Sequence, residues 1–378
     1  MKIIRTIESF YPAVSGPANQ AFMISRMLFK HGIDSQVFTS DLMAKKSPAE
    51  EVIKGVNVKR FKSKASFLKY IYTPQIKSAL IKAKPDIIHA HNFRSYQGQA
   101  GFFAAKKLGV PYVINTHGGL LGYKSITKGI KQMPYKAYDF FIGKKIINGS
   151  DAVVVSSDQE YDEALLYGVD KKKLHVIPMG IDVSEYKTER KNKENLTALF
   201  VGRLSRNRNL EPIIKAMAYA DKNIMLRIVG DEAKSSDTSK SGYVDELKQL
   251  VKSLKLENIE FAGPKYEKEL INEYKNADIF VNASVYENFG QCILEAAASG
   301  LPLISTRVGV ASELIKDSKR GFFIDDCSPK IIAEKINLLL DSRLRKEMGR
   351  LIQRDVENKY NWDDIIMEYE NIYLKIKK

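Results

Sequence analysis

Only two cysteines, Cys292 and Cys327, occur in 378 residues, so neither a disulfide framework nor a cysteine-built zinc site organises the chain. No run of 18 apolar residues is present, which excludes a membrane-spanning helix. The start, Met1-Lys2-Ile3-Ile4-Arg5, runs straight into a strand pattern and lacks the apolar core and cleavage site of a secretory signal. The expected compartment is therefore the cytoplasm. Histidines and carboxylates never fall at metal-ligand spacing, so no metal is expected, and no Ser or Cys sits in a nucleophile elbow. No helix-turn-helix, zinc-finger or RNA-binding word occurs, and no tandem repeat of the solenoid kind. Acidic residues are scarce in one region: 59–145 holds 17 basic residues against only Asp86 and Asp139. Residues 1–180 carry a net charge of +14, whereas 181–378 carry +1. That asymmetry implies an anionic partner for the first half, with nucleic acid, a membrane surface and a phosphorylated substrate as candidates.

The chain is too long for one typical core and suits two domains. In the first half, Met1–Glu8, Asp34–Ser40, Pro85–His91, Pro111–His117 and Asp151–Ser157 read as short apolar strands, and Asn19–His31 has helical periodicity. In the second half, Thr197–Arg203, Ile224–Gly230, Ile259–Gly263, Asp278–Ala283 and Leu301–Thr306 read as strands. Helices are predicted around Leu210–Ala220 and Val244–Leu254. Apolar strands alternating with helices predict parallel sheets covered on both faces. The junction falls where Pro178 and Gly180 break a strand, with a solvated connector at Lys187–Asn195, and Ser235–Gly242 is a polar insertion expected to move. Trp362, Ile365, Ile366, Tyr369, Ile372 and Tyr373 line one face of a final packing helix.

The most informative stretch is Ser284–Ile304. Glu287 and Glu295 are eight residues apart, with Asn288-Phe289-Gly290 between them as a strand-to-helix turn. Gln291–Ser299 is rich in Ala, Leu and Glu and reads as a helix. Glu287 then lies where a parallel strand ends, and Glu295 about one and a half turns into the helix. Ligands of open α/β sheets bind at the carboxyl ends of strands, where the N–H groups of a helix start can hold an anion. Two carboxylates there suit a ligand with many hydroxyls and a phosphate.

This stretch resembles the E-x7-E signature of the retaining GT-B glycosyltransferases of family 4, together with its Asn-Phe-Gly, Leu-Glu-Ala and Ala-Ser-Gly-Leu-Pro words. Gly202-Arg-Leu-Ser-Arg-Asn-Arg-Asn-Leu210 resembles the family's Gly-Arg-Leu…Lys-Gly segment, whose Arg and Lys hold the donor diphosphate. Arg208 stands where lysine is usual, Asn209 where glycine is usual, and Arg206 is a substitute for Arg208. Glu8–Asn19 resembles the loop that approaches the diphosphate from the first domain; Gly16 matches one of its glycines and Pro17 replaces the other. His117, in Thr116-His-Gly-Gly-Leu120, matches a histidine beside the donor sugar, and Pro178-Met-Gly-Ile-Asp182 resembles the hinge word. His89, His91, Asn92 and Arg94 approach a strand end, with acceptor-side and structural roles both open.

The resemblance implies an α/β chain of GT-B architecture. Two doubly wound Rossmann-like domains would face each other across a cleft: residues 1–180 on the acceptor side and 181–360 binding the nucleotide sugar. A terminal helix at about 361–376 would return to the first domain. It implies a retaining glycosyltransferase with a UDP- or GDP-linked donor and a glycan or lipid-linked acceptor, as in bacterial surface-polysaccharide or lipopolysaccharide assembly. Glu295 would take the ribose, Glu287 and the Asn288-Phe289-Gly290 turn the sugar, and Arg203 and Arg208 the leaving diphosphate. No metal and no other cofactor is expected, the arginines supplying the charge. The basic, aromatic-rich stretches Lys59–Tyr72 and Lys124–Lys145 suggest an anionic membrane surface as a further partner. The alternatives are another GT-B enzyme acting on a nucleotide sugar, such as an epimerase, or a non-enzymatic basic-surface protein binding nucleic acid or membrane. Nucleic acid is not expected, because it leaves Glu287 and Glu295 unexplained.

Overall fold

A computed structural model describes residues 1–13, 15–67, 70–189, 193–232 and 242–377. The connector at Lys187–Asn195 is described only in part, and nearly all of the insertion at Ser235–Gly242 lies outside the described residues. Two compact units divide the chain: Met1–Gly180 with Trp362–Lys378, and Ile181–Asn361.

The first unit is built on β1 (Lys2–Thr6), β2 (Asp34–Ser40), β3 (Glu50–Ile53), β4 (Val56–Phe61), a small hairpin of β5 (Ala65–Phe67) and β6 (Tyr70–Tyr72), β7 (Ile87–His91), β8 (Tyr112–Asn115), β9 (Ala152–Val155) and β10 (Leu174–Val176). Eight of these form one sheet in the order β10-β9-β8-β7-β1-β2-β4-β3. All its pairings are parallel except β3 with β4, an antiparallel edge. The stretch Lys59–Tyr72 holds the end of β4 followed by β5 and β6. Phe61 is buried there, Lys59 is paired with Glu50, and Tyr70 packs edge-on to Tyr96 and Tyr138.

The helix Trp362–Ile376 belongs to this first unit and buries all six apolar residues of its predicted face. It packs with Ile3, Ile24, Leu28 and Val113. It also closes a buried polar network. Arg5 points out of β1 with no exposure, and its guanidinium donates to Ser25 Oγ, Ser35 Oγ and Tyr373 Oη. Tyr369 Oη accepts from Asn115 Nδ2 at 2.8 Å.

The second unit holds β11 (Leu196–Val201), β12 (Ile224–Val229), β13 (Ile259–Gly263), β14 (Ile279–Asn282), β15 (Leu303–Ser305) and β16 (Gly321–Phe323), all parallel, in the order β13-β12-β11-β14-β15-β16. The run Ile-Phe-Val-Asn of β14 is buried on both faces, as a central parallel strand must be. From β11 the chain builds outward first through β12 and β13, then through β14 to β16 on the other side. The strand order therefore reverses between β11 and β14, and ligands of such sheets bind outside that point. In the first unit the same reversal falls between β1 and β7.

Candidate active site

The loops leaving β11 and β14 meet at the switch point of the second unit, joined by a backbone bond from Val285 N to Asn207 O at 2.9 Å. The β11 loop carries Arg203 and Arg208. Arg203 lies two residues beyond the strand, not at its end as read from sequence, and is exposed. Arg208 turns inward, forms an ion pair with Glu287, and donates to Ser284 Oγ at 3.3 Å. Arg203 lies close enough to Arg208 to press against its charge. Arg206, the substitute candidate, is engaged elsewhere: it donates to Glu246 at 2.5 Å and lies over the Tyr243 ring. Asn209 has φ +50°, the left-handed region that favours glycine and that asparagine tolerates best among other residues. Its presence at a position where glycine is usual therefore has a backbone reason.

The β14 loop is held by its own polar ladder. Ser284 Oγ donates to Asn282 Oδ1 at 2.6 Å and lies 3.2 Å from Glu287 Oε1, while Thr306 Oγ1 donates to the Ser284 carbonyl at 2.7 Å. Glu287 is thereby buried yet fixed against a guanidinium. Gly290 (φ +85°) turns the chain into the helix Gln291–Ala298. The Phe289 side chain is buried and edge-on to Tyr360, and its carbonyl accepts from Val310 N at 2.7 Å. The ring and carbonyl of Phe289 are thus part of the packing. Asn288 is half-buried beside it.

Glu295 is half-buried on the same helix, with Tyr274 Oη donating to Oε2 at 2.8 Å. Burial pushes its carboxyl up to about 7, with Tyr274 and Gln291 working against the shift. Sequence reasoning missed Tyr274, 21 residues upstream, and Ser284. It also missed Gly309, at φ +47°, where an added Cβ would stand 2.3 Å from the Phe289 carbonyl oxygen. The loop after β15 closes against the Asn288-Phe289-Gly290 turn because that residue has no side chain.

In the first unit, Gly16 opens the helix Gly16–Lys30, is exposed, and has nothing within 4 Å of a built Cβ. Ser15 caps that helix, accepting from Ala18 N at 3.2 Å. Across this unit's switch point Asn92 Nδ2 donates to Glu8 Oε1 at 2.5 Å. His117 follows β8 with φ +49°, a conformation that costs a non-glycine residue energy and clusters at functional sites. Burial pushes its imidazole down to about 3, so it is neutral. His91 Nδ1 lies 3.0 Å from His117 Nε2, and the two rings stack. His89 is fully buried between Tyr373 and Asn115, at 2.7 Å from each, which makes it structural. Arg94 is also structural: it donates to Asp139 and to the Gly119 and Leu120 carbonyls. The turn that carries His117 hangs on Glu160, an unforeseen buried residue. Its Oε1 accepts from Thr116 Oγ1 and Gly118 N, and its Oε2 from Ser156 N and Oγ.

Among the described residues no group of three or more His, Cys, Asp or Glu could hold a metal ion, and no helix is long and apolar enough to cross a membrane. Both cysteines are free thiols.

Two family models match consecutive parts of the chain: glycosyltransferase family 4 at residues 14–185 and glycosyl transferases group 1 at residues 184–355. The chain belongs to the family 4, group 1 glycosyltransferases. A D-inositol 3-phosphate glycosyltransferase of Xylanimonas cellulosilytica is 24% identical over 310 residues, 78% of this chain and 72% of that protein. An uncharacterised glycosyltransferase of Methanocaldococcus jannaschii is 28% identical over 403 aligned positions, 99% of this chain and 98% of its own. The fold is similar to that of Anabaena Alr3699/HepE, solved in complex with UDP and glucose. The TM-score is 0.79 at 19% identity, covering 98% of each chain. The glycosyltransferase thus has the GT-B fold, with its sequence signature gathered at the switch point of the second unit.

Proposed function

We propose that this glycosyltransferase moves a hexosyl group from a UDP- or GDP-linked donor to a hydroxyl of a glycan or lipid-linked acceptor, with retention at the anomeric carbon and in the service of surface-polysaccharide assembly. The observation that carries the reading is the meeting of an arginine loop and a glutamate loop outside β11 and β14, joined by the Val285–Asn207 bond. The relative crystallised with UDP and glucose supports a nucleotide-sugar donor.

The ion pair of Arg208 with Glu287 says how the site would work. A diphosphate offers Arg208 two or three oxygens in the fork geometry that a guanidinium prefers. As Arg208 turns to it, Glu287 is released to accept hydrogen bonds from sugar hydroxyls. Arg203, exposed and adjacent, adds a second cation. Glu295 accepts from the ribose hydroxyls. Gly16 and the Asn288 to Gly290 turn complete the donor contacts, and neutral His117 bonds a sugar hydroxyl. As the bond from the anomeric carbon to the diphosphate oxygen breaks, negative charge grows on the leaving group. Fixed cations stabilise that charge, at roughly 3–4 kcal/mol for each contact. The acceptor oxygen bonds to the same face of the anomeric carbon, and its proton passes to the leaving diphosphate, so no enzymic base is needed. In this reading the guanidiniums hold the diphosphate charge without a metal.

The test is turnover of UDP-α-glucose and its GDP and galactose counterparts, followed by proton NMR of the product. An α-linked product, with release of the nucleoside diphosphate slowed at least about 100-fold in Glu287→Gln, supports the reading. A β-linked product contradicts retention, and unchanged release in that variant contradicts the assignment of Glu287.

A further inference from the structure

Residues Met133–Gly149 form one continuous helical stretch: an α-helix over Met133–Tyr138, a π turn over Asp139–Gly143, and an α-helix over Lys144–Gly149. Its inner side is apolar, as expected. Ile146 and Ile147 are buried in the first unit's core, and Tyr138 and Ile142 pack against it. Its outer side is apolar too. Met133 is 60% exposed, Phe140 80% and Phe141 73%, and Ile130, in the 3-10 turn Gly129–Gln132 just before, is 85% exposed. Positions 133, 137, 140, 141 and 144 fall on one helical face. The π turn sets Phe140 and Phe141 side by side, their rings edge-to-face at 5.1 Å, and such turns concentrate at functional sites. Single exposed apolar residues are ordinary, but four large ones within twelve positions form a patch that water does not favour.

The charge around the patch has one sign. Lys124, Lys128, Lys131, Lys136, Lys144 and Lys145 are all exposed. The only acidic residue from 124 to 145 is Asp139, whose two oxygens accept from Arg94 Nε and Nη2 at 2.9 and 2.6 Å. The segment thus exposes aromatic and aliphatic side chains flanked in sequence by exposed lysines, the Lys144 ammonium donating to the Tyr167 carbonyl, and Asp139 is its one carboxylate. Nucleic acid would be met by the lysines but gives no reason for bare Phe, Ile and Met side chains. The headgroup layer of an anionic bilayer matches both features, since apolar side chains enter the acyl boundary while lysines meet phosphates.

We propose that Ile130, Met133, Phe140 and Phe141 are the anchor by which the first unit docks on an anionic lipid surface, with the surrounding lysines as its electrostatic rim. The proposal names a partner and stands independently of the donor site.

The test is flotation of the full chain with phosphatidylcholine vesicles, with and without phosphatidylglycerol, at about 0.15 M salt. The expected result is binding to the anionic vesicles at least about tenfold tighter than to the neutral ones. Phe140→Ser with Phe141→Ser should lose at least about tenfold, because each buried aromatic contributes that much or more. Lys131→Glu with Lys136→Glu should also weaken binding and flatten its salt dependence. Nucleotide binding in solution and the melting midpoint should stay at wild-type values in both variants, which separates failure at this surface from failure at the donor site. Phe141→Trp adds a direct reading: its emission should shift to the blue only with anionic vesicles. Equal binding to both vesicles, unchanged binding in the double Phe variant, or a vesicle-independent dimer that this variant dissolves would each overturn the proposal.

Discussion

Glu295→Gln should change how stability depends on pH in a way that burial of this one carboxyl dictates. In the folded chain the group holds its proton up to about 7, against an ordinary 4.5. Between those two pH values the unfolded chain has lost a proton that the folded chain keeps. Stability from this group is therefore complete below about 4.5, falls as pH rises toward 7, and is level above it. Each pH unit in that interval changes the balance by about 1.4 kcal/mol, which gives on the order of 3 kcal/mol in all. Solvent reaches this half-buried side chain, and that trims the figure to about 2 kcal/mol. Glutamine cannot titrate, yet its side-chain oxygen can still accept from Tyr274. Urea midpoints of the wild type and the variant at pH 5 and pH 8 check the expectation. The variant should gain on the wild type by about 2 kcal/mol between the two conditions. A gap that is the same at both pH values refutes it. The same logic extends to ligand binding. Ribose hydroxyls donating to Glu295 favour its ionised form, so nucleotide affinity should fall as pH drops below 7 in the wild type and stay level in the variant.

His117→Ala should lower kcat/KM on the order of 100-fold while leaving the fold intact. Because His117 is held neutral, the substitution should leave the shape of the pH–rate profile unchanged, and a step near 6.5 that it removes would count against that assignment. Gly309→Ala should cost about 1–3 kcal/mol of stability and weaken nucleotide binding, since the new Cβ collides with the Phe289 carbonyl. By contrast, Gly16→Ala meets nothing within 4 Å, so its melting midpoint should not move and any loss of activity reports a ligand contact. Glu160→Gln strands hydrogen-bond donors of Thr116, Gly118 or Ser156 and should cost about 1–3 kcal/mol, measured as a lower midpoint. An unchanged midpoint would show that the loop before His117 does not depend on it.

The strands nearest the site were legible because central parallel strands are unbroken apolar runs. Ile279–Asn282 is one, and the small-residue helix after it follows from composition. Arg208 and Asn209 were legible through the resemblance of their segment to the family's, and the left-handed backbone at Asn209 supplies the reason for that position's chemistry. The antiparallel pair β3 and β4 at one end of the first sheet was not legible as strands. Val56 and Val58 alternate with Asn57 and Lys59, and the lysines drew attention to charge instead of to the period of two. Arg5 was invisible as a buried group, because its partners lie 20, 30 and 368 positions away. The supports of the site share that difficulty. Tyr274 acts on Glu295 from another helix, Glu160 holds a turn 42 residues upstream, and Gly309 matters only because Phe289 folds against it. Local pattern identifies side chains that project from strand ends, but not the groups that hold those ends in place.

The central claim is that Arg203, Arg208, Glu287 and Glu295 form a nucleotide-sugar site, and nucleotide-dependent melting tests it most directly. UDP, GDP, ADP and CMP would each be added to the wild type, Arg208→Ala and Glu295→Ala. A ligand at about 100 times its dissociation constant stabilises a protein by about 2.7 kcal/mol, a readable shift. The account predicts that UDP or GDP raises the wild-type midpoint and that either substitution removes the shift. No shift with any nucleotide in folded protein, or an equal shift in all three proteins, would contradict it.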